Sequence, residues 1–276
     1  MKKSKKRILS SLIILSLIIP TWYISNYSLK LNEQTVYSSK IENDIKIALI
    51  SDLHGTKFGK DNIKIINMIS ERKPDLIFVL GDMYTRNKTD RIDDTVEFIK
   101  KLSEIASTYV VTGDHDTDDE YKEKLKSNKN IHLMDYKSED IAIKNNNITI
   151  YGIDNVYFTT TFDLHNAFNE PNRKRFNILL SHIPEIEKFK DFGVDIIFSG
   201  DTHGGLIRIP LLGPIYYNGY IFPKLTYPNE MTDKGLYYFD NKKIFVTSGL
   251  GDYPIPLRFL NRPEICMITL KKETTK

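Results

Sequence analysis

The chain has 276 residues, of which 41% are hydrophobic and 27% are charged, so it can bury a sizeable core and is not compositionally disordered. The formal net charge of +3 depends on five basic residues between Lys2 and Arg7. Subtracting these five from the 39 Lys and Arg residues leaves 34 basic against 36 acidic residues, which argues against a broad nucleic-acid-binding surface. Cys266 is the only cysteine, which excludes an intrachain disulfide and a zinc site built from cysteines.

The first 29 residues predict a basic flank followed by a membrane segment. Residues 8–29 carry no charge, and Trp22 and Tyr23 stand near the end of this run, as interfacial aromatic residues do. Because residues 21–28 contain no convincing small-x-small cleavage site, we expect an uncleaved, single-pass signal anchor in the cell membrane. The basic flank would remain cytoplasmic and the domain after it would be extracytoplasmic. The alternative is a protein secreted after signal cleavage.

Residues 30–44 are expected to form a polar tether, and residues 45–272 an α/β domain, because strand and helix patterns alternate there. Apolar residues that recur at helical spacing are Ile63, Ile66 and Ile69 in one segment, and Ile92, Val96, Ile99 and Ala106 in the next. Helices are therefore predicted to cover the sheet between the first three motif loops.

Two turns and a late strand are predicted in the second half of the chain. The run from Asn145 to Asn147 suits a hairpin turn, since asparagine tolerates a left-handed backbone. A second turn is expected near Asp240 and Asn241, and the run EICMITLK predicts a strand that closes the domain.

Five apolar, strand-like runs each end in carboxylates or histidines. In chain order the runs are IALISDLH, IFVLGD, YVVTGDHD, ILLSH and IIFSGDTH. The residues at their ends are Asp52, His54, Asp82, Asp114, His115, Asp116, His182, Asp201 and His203. Open α/β folds gather ligands where the carboxyl ends of their strands converge, so the pattern predicts metal-ligand groups along one rim of a sheet. Carboxylate and imidazole together suit Mn, Fe, Zn or Co.

Each of these motifs is weak when taken alone, because an aspartate also caps helices and a lone histidine often satisfies a backbone carbonyl. The sharpest signal is the run SGDTHGG at residues 199–205. There, Asp201 and His203 are one residue apart and are bracketed by glycines, which let the backbone pack closely around a small charged ligand.

The ordered set D-x-H, GD, GDHD, SH and GDTHGG resembles the calcineurin-like metallophosphoesterases, whose usual pattern is D-x-H, GD, GNH[DE], H and GHxH. The resemblance covers about residues 45–270. The tail GLGDYPIPLRFLNRPEICMITL is similar to the membrane-associated, YkuE-like and YaeI-like bacterial branch. Membership would imply a four-layer α/β/β/α sandwich with a dinuclear metal centre at one end.

The resemblance also implies a role for each motif residue. Ligands of the first ion would be Asp52, His54 and His203, with Asp82 as the bridge and Asp114, His182 and Asp201 as ligands of the second ion. The expected catalytic residues are His115, a non-ligand histidine near the substrate, and Asp116, which would orient it. Two such ions can position a hydroxide for attack on phosphorus.

Two positions depart from the family pattern: Asp114 replaces the usual Asn, and Asp201 replaces the usual His. Four carboxylates would formally cancel the charge of two divalent ions, which should raise the pKa of metal-bound water. We therefore expect Mn²⁺, with Mg²⁺, Fe and Zn as alternatives, and an alkaline pH optimum.

The expected function is hydrolysis of a phosphomonoester or phosphodiester that is lipid-linked, a nucleotide sugar or part of the cell envelope. The rival hypothesis is a membrane-tethered, catalytically degraded protein that binds a phosphorylated ligand. Walker, Rossmann and G-x-S-x-G motifs are absent from the expected places. An aromatic segment near the glycine loop has two interpretations, hairpin packing or an apolar lip for acyl chains; it contains Tyr216, Tyr217, Tyr220 and Phe222.

Overall fold

A computed structural model of the chain describes residues 2–154, 163–217, 220–226, 232–239, 242–253 and 255–273. Its helices are α1 (Lys2–Tyr27), α2 (Ile63–Arg72), α3 (Ile92–Ser103), α4 (Asp119–Lys126), α5 (Leu164–Ala167), α6 (Ile186–Phe189) and α7 (Pro223–Thr226). The first strands are β1 (Lys30–Ser38), β2 (Ile45–Ile50), β3 (Leu76–Leu80), β4 (Ser107–Val111), β5 (Ile131–Leu133), β6 (Lys137–Ile143), β7 (Asn146–Ile153) and β8 (Phe176–Ser181). The later strands are β9 (Ile196–Ser199), β10 (Arg208–Ile209), β11 (Gly213–Pro214), β12 (Tyr216–Tyr217), β13 (Tyr220–Ile221), β14 (Gly235–Phe239), β15 (Lys242–Val246) and β16 (Glu264–Lys272).

Two six-stranded sheets form the centre of the described structure. The first has the order β1-β16-β2-β3-β4-β5, and the second has the order β14-β15-β9-β8-β7-β6. In the first sheet, β2 to β5 are parallel and β16 runs antiparallel to β2. In the second, β7, β8 and β9 are parallel. The carboxyl ends of β2, β3 and β4 therefore share one edge, as do those of β7, β8 and β9.

Three apolar cores separate four layers, which confirms the expected α/β/β/α sandwich. The central core lies between the sheets and includes Phe78 and Phe198. Ile69 and Ile99 belong to the core between the first sheet and helices α2 to α4. Phe189 belongs to the core between the second sheet and helices α5 and α6. A strand whose two faces are both covered by other layers is fully buried, and this explains the β-branched and aromatic residues of the central strands.

The helical periodicity correctly predicted that α2 and α3 cover the first sheet, but one of the residues expected to face the core in α2 does not. Ile65 and Ile69 form the buried side of α2, whereas Ile63 at its first position is 46% exposed. In α3 the predicted positions Ile92, Val96 and Ile99 are buried, and Ala106 lies beyond the end of the helix.

The predicted hairpin joins β6 and β7, and Ile143 pairs with Asn146 across its turn. Lys144 and Asn145 are the turn residues, both with positive φ, so the turn lies one residue earlier than the asparagine run suggested. The second predicted turn, at Asp240 and Asn241, lies outside the described residues. The strands on either side of it, β14 and β15, pair antiparallel.

The expected tether at residues 30–44 is wrong for most of its length. Lys30–Ser38 forms β1, which pairs in parallel with β16 over nine residues, from Lys30 opposite Glu264 to Ser38 opposite Lys272. Val36 is buried in the central core, and β1 is the edge strand of the first sheet. A polar segment can form a strand here because an edge strand needs few core contacts and takes its backbone hydrogen bonds from β16.

Helix α1 precedes this strand and is the one described helix that is long and apolar enough to cross a membrane. The candidate span is Lys5–Tyr27, and its apolar side chains are exposed. The helix contacts the domain near its end, where Trp22 hydrogen-bonds to Pro256 and where Ser25 and Asn26 are buried.

Candidate metal centre

The motif residues meet where the carboxyl ends of the two sheets approach each other. Two hydrogen bonds connect loops at this edge, the first within the second sheet and the second between the two sheets. The N–H of Gly200 donates to the carbonyl oxygen of His182 over 2.8 Å, and the N–H of Asp201 donates to Asp52 Oδ1 over 3.1 Å. The loops after β2, β8 and β9 therefore share one small volume.

Glycines make this close approach possible. A Cβ added at Gly200 would lie 2.1 Å from Ser51 Oγ and 2.7 Å from Asp52 Oδ2. A Cβ at Gly113 would lie 2.1 Å from Asp82 Oδ1. The glycines before Asp201 and Asp114 are thus required by packing against carboxylates on neighbouring loops, as the sequence pattern suggested.

The backbone is strained at most of the predicted ligands. Positive φ values are uncommon for residues other than glycine, and they concentrate at functional sites when the surrounding structure holds them. Five of the predicted ligands have φ between 48° and 66°: Asp52, His54, Asp82, Asp201 and His203.

One cluster consists of Asp52, His54 and His203, which each offer a ligand atom within 4.8 Å of the others. The Nε2 atoms of His54 and His203 are 3.3 Å apart, and His203 Nε2 lies 3.7 Å from Asp52 Oδ1. Two imidazole nitrogens this close, beside a carboxylate, match the donor set that divalent transition metals prefer.

A second cluster consists of Asp114, His182 and Asp201. His182 Nε2 lies 3.9 Å from Asp114 Oδ1 and 3.8 Å from Asp201 Oδ1. This cluster has two carboxylates and one imidazole, so it is richer in hard oxygen ligands than the first.

Asp82 lies between the two clusters. Its Oδ2 is 3.6 Å from His54 Nε2 in the first cluster and 3.4 Å from His182 Nε2 in the second. Its Oδ1 accepts a hydrogen bond from the N–H of His115 over 2.9 Å. The carboxylate is therefore held in place by the backbone while Oδ2 faces both histidines.

His182 carries the clearest sign that the centre fits metal ions. Its Nδ1 lies 2.6 Å from the carbonyl oxygen of Leu80, so Nδ1 carries the proton and donates it there. Its Nε2 is completely buried, has no hydrogen-bond partner and faces carboxylates of both clusters. A buried, unpartnered lone pair is costly in a folded protein, and a bound cation would satisfy it.

The electrostatics of the buried groups agree with this interpretation. Burial raises the pKa of Asp52 to about 7 and lowers the pKa of His54 to about 4. Burial alone would also lower the pKa of His182, but Asp82, Asp52 and Asp201 raise it well above its usual value. These shifts reflect carboxylates and imidazoles that must share protons in a desolvated space. Divalent cations would instead favour ionised carboxylates and neutral imidazoles.

His115 lies beside the two clusters in a different hydrogen-bonding state. Its Nδ1 accepts a hydrogen bond from the N–H of Arg86 over 3.1 Å, so a neutral ring carries its proton on Nε2. That nitrogen lies 3.9 Å from Asp114 Oδ2. His115 also forms a group with His54 and Asp82, but a protonated Nε2 is a donor and not a metal ligand.

Asp116 does not orient His115, which corrects the role expected from the family pattern. Its Oδ1 accepts from the N–H of Gly113 over 2.6 Å, and its Oδ2 accepts from the N–H of Met83 over 2.9 Å. The side chain is completely buried, and burial raises its pKa to about 7. Asp116 therefore ties the loop after β3 to the loop after β4.

Two residues of the late loop border the centre, and no local pattern predicted them. The ring of Tyr253 stacks on His54 with centroids 5.0 Å apart and packs edge-on against His115 at 4.5 Å. Arg258 is completely buried, forms an ion pair with Asp252 at 2.7 Å and places Nη2 3.4 Å from His203 Nδ1. Only pairing across the fold brings these residues to the site.

A cleft of about 540 Å³ opens directly beside the metal-ligand cluster. Asp201 and His203 form part of its wall, and its apolar lining includes Leu206, Ile215 and Leu257. Tyr216 and Tyr217 of the aromatic segment also line the cleft, and Tyr220 is exposed on the β12–β13 hairpin. The segment therefore combines a hairpin with one wall of the cleft.

Comparison with known proteins was made by family profile, sequence and structure. The profile "Calcineurin-like phosphoesterase" matches residues 45–205. The uncharacterized metallophosphoesterase YkuE of Bacillus subtilis is 30% identical over 261 residues, with 90% of this chain and 88% of that protein covered. UDP-2,3-diacylglucosamine pyrophosphatase LpxG of Chlamydia muridarum is 25% identical over 275 residues, covering 81% and 83%. The crystal structure of TT1561 of Thermus thermophilus has a similar fold, with a TM-score of 0.50 and 12% identity over 76% of this chain and 90% of that one.

Proposed function

Since the chain belongs to the calcineurin-like phosphoesterase family and is a metal-dependent phosphoester hydrolase, we propose that it works through two divalent ions held by seven side chains. The observation that carries this proposal is the position of Asp82, whose Oδ2 faces His54 of one cluster and His182 of the other. A carboxylate between two groups of ligands is suited to bridge two cations.

The first ion would be held by Asp52, His54 and His203, and the second by Asp114, His182 and Asp201, with Asp82 shared. Bound there, the ions would supply positive charge to a phosphoryl group and make a water molecule more acidic. The chain's own residues fix the ligand geometry. The carbonyl oxygen of Leu80 accepts a hydrogen bond from His182 Nδ1, and Asp116 ties the loop after β3 to the loop after β4.

His115 is proposed to donate a hydrogen bond from Nε2 to the leaving oxygen of the substrate and so to stabilise the transition state. Its neutral ring already carries the proton on Nε2, because Nδ1 accepts from the backbone of Arg86. Arg86 is exposed beside it and donates from Nη2 to the carbonyl oxygen of Asp114. Removing one hydrogen-bond donor to charge that develops in the transition state typically lowers kcat about 10²- to 10³-fold.

Mn²⁺ is proposed as the preferred ion, with an alkaline pH optimum, because the second cluster offers two carboxylates and one imidazole. Activity of metal-stripped protein restored with Mn²⁺, Mg²⁺ or Zn²⁺ tests this, measured from about pH 6 to about pH 10 so that ordinary histidine titration is included. Tight Zn²⁺ binding at both positions with peak activity near neutral pH would contradict it.

An amphiphilic phosphoester, lipid-linked or from the cell envelope, is proposed as the substrate. The lining of the cleft combines Asp201 and His203 with apolar residues such as Leu206, Ile215 and Leu257, so a ligand there would meet both the metal ligands and an apolar surface. The name of the relative LpxG, a pyrophosphatase of UDP-2,3-diacylglucosamine, is consistent with such a substrate. A diacyl phosphoester in mixed micelles should have a lower KM than its deacylated counterpart.

Helix α1 is proposed to remain attached as a membrane anchor, with the domain extracytoplasmic. Ser25 Oγ accepts from the N–H of Leu260, and Asn26 exchanges hydrogen bonds with the backbone of Arg258. Cleavage after Asn26 would remove both of these residues from the domain. Retention of an N-terminal tag on the mature protein, with protease access to a C-terminal tag from outside the cell, tests both attachment and orientation.

Hydrolysis of bis-p-nitrophenyl phosphate with added Mn²⁺ tests the catalytic proposal. Wild-type protein should turn over, and Asp82→Ala should lose both metal and activity. Asp61→Asn removes a mostly exposed carboxylate outside the centre and serves as the matched control. Stoichiometric binding of the ester without turnover would favour a degraded, ligand-binding protein.

A further inference from the structure

The sheet topology places the end of α1 and the metal centre at the same end of the domain. Strand β16 begins at Glu264 and runs antiparallel to β2, so its first residues lie beside the end of β2 that leads into Asp52. Strand β1 is parallel to β16 and begins at Lys30, opposite Glu264. Because α1 ends at Tyr27, the helix enters the domain at the edge that carries the metal ligands.

Direct hydrogen bonds hold α1 against the late loop at this edge. Trp22 Nε1 donates to the carbonyl oxygen of Pro256 over 2.9 Å. Asn26 Nδ2 donates to the carbonyl oxygen of Arg258 over 2.8 Å, and the N–H of Arg258 donates to Asn26 Oδ1 over 3.0 Å. Arg258 in turn places its Nη2 3.4 Å from Nδ1 of His203. The helix is therefore fixed to the loop that borders the metal centre.

Exposed apolar side chains lie on segments that adjoin the lining of the cleft. We call these residues the apolar rim: Leu211, Ile221, Leu225, Ile255 and Leu257. Leu257 lines the cleft, and Ile221 is paired with Tyr216, another lining residue. Leu211 is 94% exposed and Ile255 is 54% exposed. The segment before Leu211 is joined to the late loop, because the N–H of Arg208 donates to the carbonyl oxygen of Phe259.

Exposed apolar side chains on neighbouring segments mark an interaction site, and the late loop that carries Ile255 and Leu257 adjoins the end of the candidate membrane span. Pro256 accepts the hydrogen bond of Trp22 and lies between Ile255 and Leu257 in the chain, so this part of the rim is level with the end of α1. Tryptophan near the end of a span lies at the membrane interface.

We propose that the apolar rim rests in the interfacial layer of the bilayer that α1 spans, so that the metal centre faces the membrane. This inference rests on the proposed anchoring by α1, and it deepens the proposed function by naming the route of the substrate. A phosphoester with acyl chains would enter the cleft from the plane of the membrane, with its phosphate toward Asp201 and His203 and its chains toward Leu257.

Spin-label depth measurements on the full chain in phosphatidylcholine and phosphatidylglycerol vesicles test the proposal. Single cysteines at Leu211→Cys, Leu225→Cys and Ile255→Cys, in a Cys266→Ala background, would carry the label. The control is Tyr37→Cys, because Tyr37 is 54% exposed and lies near the far end of β1. At about 3.3 Å per residue, it is about 23 Å from Lys30.

Labels on the rim should be more accessible to oxygen than to a water-soluble nickel chelate, and the label at Tyr37→Cys should show the opposite preference. Rim labels as accessible to the chelate as the control label would overturn the proposal, as would a chain that does not float with the vesicles. Depth and hydrolysis are separate readouts: buried rim labels without turnover would refute the catalytic proposal alone, and turnover with water-exposed rim labels would refute docking alone.

Discussion

The backbone N–H of Arg86 donates a hydrogen bond to Nδ1 of His115 over 3.1 Å. This contact leaves the proton of a neutral ring on Nε2, at the side of the ring near Asp114. It distinguishes His115 from His182, whose Nδ1 donates to a carbonyl and whose Nε2 faces carboxylates without a hydrogen-bond partner. Two histidines at one site are thus prepared for different tasks, hydrogen-bond donation and metal binding.

Replacing His115 should therefore affect turnover and not metal content. We expect His115→Ala to lower kcat about 10²- to 10³-fold with bis-p-nitrophenyl phosphate, while metal analysis still finds the wild-type stoichiometry. His165→Ala, which removes a histidine paired with Glu170 away from the centre, is the control and should keep kcat. Loss of metal from His115→Ala would reassign this residue as a ligand.

Metal removal should lower thermal stability through the same centre. Chelation would leave buried carboxylates and imidazoles without a cation, so the melting temperature should fall and should recover when Mn²⁺ is added. Mn²⁺ at roughly 100 times its dissociation constant would stabilise the fold by about 2.7 kcal/mol. Asp82→Ala should abolish this recovery, whereas Asp61→Asn should retain it. An unchanged melting temperature after chelation would argue against a buried metal centre.

Gly113→Ala tests the close packing around Asp82. The new methyl group would lie 2.1 Å from Asp82 Oδ1, so the carboxylate must move away from both histidines. We expect destabilisation of about 1–3 kcal/mol together with weaker metal binding. Gly152→Ala is the matched control, because its methyl group would clash with Met134 at 2.3 Å and not with a predicted ligand. Calorimetry should find weaker metal binding in the first variant only; equal weakening in both would assign the effect to general instability.

Acid stability should depend on Glu264, which is completely buried at the start of β16. Its Oε2 pairs with Lys234 Nζ at 2.9 Å, and its Oε1 accepts from the N–H of Ser248 at 3.0 Å. Burial alone would raise the pKa of Glu264, but Lys234 and the Ser248 N–H lower it below the usual 4.5. Burial also lowers the pKa of Lys234, but Lys234 remains charged in acid. The loss of stability in acid is therefore due to protonation of Glu264.

Because the folded state has the lower pKa, the contribution of Glu264 to stability is complete above pH 4.5 and is lost as the pH falls through the folded-state pKa. Glu264→Gln should reduce the free energy of unfolding at pH 7 by about 3–5 kcal/mol, and the difference from wild type should shrink in stronger acid. Urea unfolding at pH 7 and in stronger acid measures this. Glu187→Gln, which removes the carboxylate of the exposed Glu187–Lys190 ion pair, is the control. A difference that does not change with pH would show that the ion pair is not its cause.

Residue type and short-range pattern were sufficient to predict the layered fold and the residues that meet at the strand ends. Apolar runs such as those before Asp52 and Asp82 form strands because both of their faces are buried, and parallel strands bring their carboxyl ends to one edge. The periodic residues of α3 were predicted correctly for the same local reason.

Long-range pairing, in contrast, was decided only by the tertiary structure. Strand β1 looked like a tether because its partner, β16, lies more than 200 residues away in the chain, and an edge strand needs little apolar sequence of its own. Asp116 was expected to orient His115, but the backbone donors that occupy it come from Gly113 and from Met83 on another loop.

The sequence by itself determined the chemistry of the centre, because carboxylates and imidazoles at strand ends are local features that survive any arrangement of the other elements. Only the tertiary structure decided that the centre lies at the same end of the domain as the end of α1. That placement follows from the parallel pairing of Lys30 with Glu264 and from the hydrogen bonds between Asn26 and Arg258, which join segments that no local pattern connects.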